Sequence, residues 1–358
     1  MTTRRGFLAG LLAAGTAPQL GWASVGNPAY LAAAQEPDDG FALFGLRGDG
    51  AETFRVPLPA RGHAGAGHPR RAEAVAFARR PGAFALVIDC STGEVRRRLS
   101  PPEGRQFNGH GVFAEAGARL FTAEQRSDTS EGVIGIWDVE AGYRRIGEVP
   151  TQGIGPHDLR LMPDGETLVV ANGGIATDPT DRTKLNIDTM RPNLAYLGFD
   201  GTLLEKVALE AALWRNSIRH LAVRSDGMVA FAMQWEGEAG AAPPLLGLHR
   251  RGEAARLAPA PLAHELAMQG YAGSIAFSGD GTEVAITSPR GGRVHRFSEQ
   301  GDFLGPVSRT DVCGLAAHRD GLLASDGLGG LIAIEAGRPR PLARCDRAWD
   351  NHIVGLGA

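Results

Sequence analysis

The 358-residue sequence predicts an all-β fold, a seven-bladed β-propeller. Three features carry that prediction: glycine and proline content, a repeating unit of strand and turn, and apolar runs at the two chain ends that complete one another. Fifty glycines and 22 prolines without a collagen-like period indicate many tight turns between short elements. The unit is a short apolar run, a turn ending in glycine, a second run, a variable loop, a third run closing on a polar turn, and a fourth run. Its turn glycines are Gly82, Gly117, Gly165, Gly227, Gly281 and Gly321, spaced 35, 48, 62, 54 and 40 residues apart. Such spacings suit four-stranded blades with loop insertions.

In chain order, the first element is an address. Thr3-Arg4-Arg5-Gly6-Phe7-Leu8 places paired arginines before an uncharged apolar run, Leu8 to Ala14, the pattern of a twin-arginine export signal. The run is too short to span a bilayer, and Gly21 and Ala23 supply small residues for cleavage after Ala23. The expected mature protein is periplasmic, with no stable membrane anchor after cleavage, its partner during export being the twin-arginine translocase. Residues 1–23 are thus read as signal and 24–358 as one propeller domain, at about 48 residues per blade.

Within the blades, Leu159 to Leu161 and Thr167 to Ala171 flank Pro-Asp-Gly165 as a hairpin. Val112-Phe113 and Leu120 to Ala123 do the same in the preceding blade. Val133 to Trp137, Val294 to Phe297 and Leu331 to Ile334 read as equivalent third strands. Six blades are visible this way. The seventh is assembled from both ends: His352 to Leu356 as its innermost strand, then Tyr30 to Ala34, Phe41 to Leu46 and Thr53 to Leu58. Closure of this kind removes an exposed sheet edge.

The 37 basic and 40 acidic residues leave a net charge of −3, which argues against a nucleic-acid partner held by phosphate charge. Cys90, Cys313 and Cys345 are widely spaced and form no C-x-x-C, so one disulfide at most can form and the simplest reading is three small buried apolar groups. No G-x-S-x-G elbow, H-E-x-x-H helix, Walker loop or dinucleotide fingerprint occurs, and no residue stands out as catalytic. The sequence therefore leans away from an enzyme.

The propeller topology brings the start of each innermost strand, and the loop after each second strand, to one face. At the strand starts lie Asn108-Gly-His110, Pro156-His157-Asp158, Ser217-Ile-Arg-His220 and Asp350-Asn-His352. His110, His157, His220 and His352 are candidate metal ligands at the channel mouth, because imidazole is a common ligand for iron, copper and zinc. A structural role, tying an incoming loop to its blade, competes for each one. Adjacent strand residues point to opposite faces, so Asp158 is expected to serve a neighbour other than His157. The loops add Glu124, Arg126, Asn172, Gln234, Trp235, Arg290 and Asp326 as candidate ligand-binding residues. The long insertion from Ile175 to Asn193 is either a lid or binding loop, or a solvated excursion.

Several stretches resemble a bacterial family of exported proteins of unknown function, domain-of-unknown-function family 1513. They are Ala76 to Gly82, Phe107-Asn-Gly-His-Gly111, Gly153 to Leu159, Lys184 to Ile187, Ser217 to Leu221, Phe231-Ala-Met-Gln-Trp235, Ile286 to Gly292, Asp311 to Gly314 and Ala348 to His352. The resemblance implies a seven-bladed propeller similar to the YVTN and quinoprotein types. It also implies an association with periplasmic iron-uptake proteins such as imelysin-like peptidases and dihaem peroxidase-like proteins. From it follows the leading expectation, a binding or accessory protein in iron or haem acquisition, with iron, copper or haem as ligand. Two alternatives stand beside it: a propeller enzyme of lactonase or quinoprotein-dehydrogenase type, and an interaction scaffold without a metal.

Overall fold

Short apolar strands joined by tight turns pair with their chain neighbours, and in this protein they form seven separate four-stranded antiparallel sheets. The fold comes from a computed structural model that describes residues 20–79 and 82–356. Most of the expected export signal, including its apolar run, lies outside the described residues. No helix among the described residues is long and apolar enough to cross a membrane.

Blades 1 to 6 occupy residues 62–99, 105–154, 156–208, 216–257, 274–308 and 312–344. Blade 7 joins the C-terminal strand Ala348–Gly355 to Tyr30–Gln35, Phe41–Leu46 and Glu52–Leu58, in that order from the axis outward. The inner strands of blades 1 to 6 are Gly62–Gly67, Arg105–Ala114, Pro156–Leu161, Asn216–Val223, Ser274–Phe277 and Val312–His318. Neighbouring inner strands pack side by side around a closed ring.

The apolar core is divided among the gaps between blades. Seven buried clusters occur, one in each gap: Phe77, Phe107 and Trp137 between blades 1 and 2, for example, and Tyr196 with Phe231 between blades 3 and 4. Each sheet is therefore apolar on both faces, which explains why fully buried runs such as Thr167–Asn172 lack polar alternation.

Four of the six turn glycines sit between first and second strands and Gly321 opens a second strand, as the sequence suggests. Gly82 does not. In blade 1 that turn is His68 to Ala72, and Gly82 lies in the loop after the second strand, Glu73–Ala78. A glycine is required there for another reason: at φ 56° its carbonyl accepts from Phe107 N–H at 3.2 Å, and a β-carbon would fall 1.8 Å from the Phe107 oxygen.

All three cysteines are free. Burial pushes the Cys90 and Cys313 thiols up to about 12, consistent with packing roles.

Closure rests on a few large side chains. Trp349 meets the fully buried Phe44 edge-on at 5.6 Å, and the Arg347 guanidinium lies 3.9 Å over the Phe44 ring. Trp349→Ala is expected to destabilise the protein by about 3–5 kcal/mol in chemical denaturation. Removing residues 352–358, and with them the buried Ile353, should unfold or aggregate the chain; an unchanged melting temperature would show that closure is dispensable.

Candidate functional site

The inner strands do not run regularly past the axis. In blade 1, Gly62 pairs with Ala78 and Gly65 with Ala76, so one residue too many lies between them, at 63–64. Blade 2 carries a larger excess between Phe107 and Gly111, and blade 7 one between Trp349 and Ile353. In blade 3 the extra residue is His157 itself, and in blade 4 it is Arg219, directly before His220. Bulges of this kind bend a strand and re-aim its side chains. Here five of the six inner-strand bulges include or adjoin a histidine, His63, His110, His157, His220 and His352, and the sixth, in blade 6, holds Cys313 and Gly314 instead.

The five rings meet across the channel. Ring centroids are 4.9 Å apart for His63 and His110, 4.9 Å for His63 and His352, 5.4 Å for His110 and His157, and 4.5 Å for His157 and His220. His220 and His352 are also 4.5 Å apart although blades 5 and 6 separate them along the ring, so their contact crosses the axis. The cluster thus unites all four histidines singled out in the sequence, including the one from blade 7. Gly109 is shaped to it: at φ 94° it lies under the His63 ring, and a β-carbon there would be 2.4 Å from His63 Cδ2.

Asp158, 1% exposed, fixes the cluster. Its Oδ1 lies 3.2 Å from His110 Nδ1, while Oδ2 accepts from Leu221 N–H at 3.0 Å and from Arg160 at 3.2 Å. It serves a histidine from the neighbouring blade, as strand alternation suggests. Burial raises its carboxyl, but the Arg160 charge and the hydrogen bond with His110 outweigh this and hold it well below the usual range. A carboxylate on Nδ1 keeps the proton there and turns the Nε2 lone pair toward the channel. His110 Nε2, His220 Nδ1 and His352 Nε2 are all buried without a hydrogen-bond partner among the described residues. Two sets of donors lie within 4.8 Å of one another, His63 with His110 and His352, and His110 with His157 and His220.

His63 is the member that the sequence reading lacks. The signal was present as Gly62-His63, the same pair as Gly109-His110, but taking Gly82 as the hairpin turn displaced the blade 1 frame by one strand.

The loop candidates have other neighbours. Fully buried Glu124 accepts from Arg145 at 2.7 Å and Thr122 at 2.6 Å, and burial pushes its carboxyl up against the pull of Arg145. Arg126 pairs with Glu131 at 3.5 Å, and Asn172 donates to Thr151 O and Asn193. Gln234 donates to Ala272 O at 3.1 Å, linking blade 4 to the start of blade 5, and Trp235 donates to Glu238 O. Arg290 stacks over Tyr271 at 4.5 Å; Asp326 accepts from Arg309 and from the N–H groups of Leu328 and Gly330. The Ile175 to Asn193 insertion is pinned to blade 2 by Thr177 N–H donating to Ser130 and to blade 4 by the Lys184–Glu236 pair.

Two outcomes follow. Asp158→Ala leaves Arg160, His110 and Leu221 N–H without their acceptor and should cost about 3–5 kcal/mol by urea denaturation. Burial, reinforced by neighbouring imidazoles, holds His220 and His352 well below the ordinary value. The unfolded chain therefore takes up protons below about pH 6.5 that the folded one refuses. Stability of the metal-free protein should fall with decreasing pH by up to about 1.4 kcal/mol per unit for each such histidine, and His220→Gln should flatten the slope. An equally steep slope in the variant would contradict the assignment.

Comparison with known proteins agrees with the fold. A solved structure of Kuenenia stuttgartiensis hydrazine synthase is similar with a TM-score of 0.60 at 13% identity, covering 89% of this chain and 96% of that one, which is a likeness of fold alone. No curated relative matches the chain. A family model matches residues 56–356, a span that holds all five histidines, and the chain belongs to that family, described as protein of unknown function (DUF1513).

Proposed function

We propose that this protein is an exported, periplasmic propeller that binds one transition-metal ion through the imidazoles of its channel and serves as a binding or accessory protein in iron acquisition. The observation that carries the reading is the convergence of five histidines from five blades, three of which, His110, His220 and His352, have a buried nitrogen without a hydrogen-bond partner among the described residues. Buried polar atoms are ordinarily satisfied, and a cation would satisfy several at once. An all-imidazole donor set suits iron, copper, nickel or zinc, and lacks the oxygens that calcium or magnesium demand.

His110 belongs to both donor sets, and its Nε2 has one lone pair, so the two sets are alternative positions for a single ion. The rings surround the central space on several sides, leaving no plane for a macrocycle between them, which favours an ion over haem. The export signal and the resemblance to proteins associated with iron uptake support iron; the donor set accommodates copper as well. A lactonase-type site would need carboxylate or amide oxygens, and Asp158, the carboxylate in contact with the cluster, is committed to His110, Arg160 and Leu221.

Metal analysis of protein exported and purified from a native periplasm tests the reading. Wild type should retain a stoichiometric transition metal, and His110→Ala with His220→Ala should lose it. Affinity should fall as pH drops through about 6.5, because protonated imidazole cannot ligate. Equal metal content in the two proteins, or none in wild type, would refute it.

A further inference from the structure

The face above the imidazoles carries an unusual charge. Arg61 and Arg79 are joined through their backbones, Arg79 N–H donating to Arg61 O at 3.1 Å. Arg61 is paired with Asp350 of blade 7 at 2.8 Å. Arg79, by contrast, has no ion pair or side-chain hydrogen bond among the described residues, although it is half-buried. It belongs to blade 1 yet lies within electrostatic reach of Asp350 in blade 7, Arg182 in the blade 3 insertion and Tyr271 at the start of blade 5. Its backbone bond to Arg61, whose guanidinium meets Asp350 two residues before His352, places Arg79 beside the channel histidines. Arg219, the bulge residue beside His220, is 9% exposed, with its Nε unpartnered and Glu236 at 3.6 Å; it too senses Arg182 and Tyr271.

Four guanidinium groups from blades 1, 3 and 4 and the 7-to-1 connection, with Lys184, thus meet three carboxylates, Asp350, Asp311 and Glu236, the last shared by Lys184 and Arg219. The excess is positive. Bare metal cations are repelled by such a mouth, whereas oxygen anions are drawn to it. Guanidinium forks also match planar carboxylate and tetrahedral oxyanion groups in geometry.

We propose that the channel mouth, centred on Arg79 with Arg61, Arg182 and Arg219, is a binding site for a small oxygen-donor anion such as a polycarboxylate. This deepens the metal-binding reading and rests on it for one point only, that the anion arrives as chelator or co-ligand of the ion below. Anion binding itself does not require the metal.

Calorimetric titration of metal-free, full-length protein with citrate tests the site, with inorganic phosphate as a second probe to separate carboxylate from phosphate recognition. Citrate should bind and weaken with added salt. Arg79→Ala should reduce its affinity by about tenfold or more, and Arg79→Lys, which keeps charge but loses the fork, by less. Should Arg79→Ala not fold, Arg182→Ala on the exposed insertion supplies the reading, with an expected loss of about threefold. His110→Ala with His220→Ala should abolish metal retention while leaving citrate affinity of the metal-free protein within about threefold. No binding of citrate or phosphate by wild type at millimolar concentration, or undiminished binding by a folded Arg79 variant, would overturn the proposal. Citrate binding without metal retention would instead overturn the metal reading and leave the anion site standing.

Discussion

The buried Asp158 carboxylate is the interaction on which the channel depends. It sits in the inner strand of blade 3, orients His110 of blade 2 and accepts the Leu221 N–H of blade 4, so one side chain ties three blades at the axis. A lone ionised carboxylate so deeply buried would be costly, and Arg160 together with His110 and the Leu221 N–H offsets that cost. Similar ties continue round the ring. Asn108 donates to Pro156 O, Ser217 to Gly173 O, Gln234 to Ala272 O, Thr287 to Cys313 O, and Arg61 pairs with Asp350. With the core divided into seven gaps, these polar contacts set how each blade meets the next.

Bulges are the second constraint. A regular inner strand sends alternate residues into the two neighbouring gaps. An extra residue breaks the alternation and frees a side chain for the axis. The cost is unpaired backbone at the bulge, and blade 5, whose inner strand pairs without interruption from Ser274 to Phe277, contributes no histidine.

Much of this was legible in the sequence because it is local. Hairpin turns demand a residue at positive φ, so Gly165, Gly227 and Gly281 mark blade edges, and the terminal runs betray closure by their complementary number. Four of the five clustered histidines were visible, His110, His157 and His220 as recurrences seven or eight residues before a turn glycine and His352 at the start of the closing strand. The rest depended on pairing between strands. Whether His157 or Arg219 is the extra residue is decided by hydrogen-bond register, which no composition or period records. His63 was hidden by a glycine in the wrong loop. The polar loop ends were rightly placed after second strands, but Asn172, Gln234 and Asp326 have backbone acceptors or donors beside them that only the folded loops bring near. The arginines of the mouth come from four distant stretches, and nothing in their spacing joins them.

The histidines come from blades 7, 1, 2, 3 and 4, which are consecutive around the ring, while blades 5 and 6 offer none. The strands that carry them form an arc, yet the rings close on one another, because His220 and His352 touch across the axis. In blade 6 the bulge carries Cys313 instead of an imidazole, with its sulfur turned to the carbonyls of Trp349 and Asp350. Blades 5 and 6 therefore act as spacers: any change in how far they hold blade 4 from blade 7 would part the His220 and His352 rings, although neither blade contributes an imidazole to the cluster.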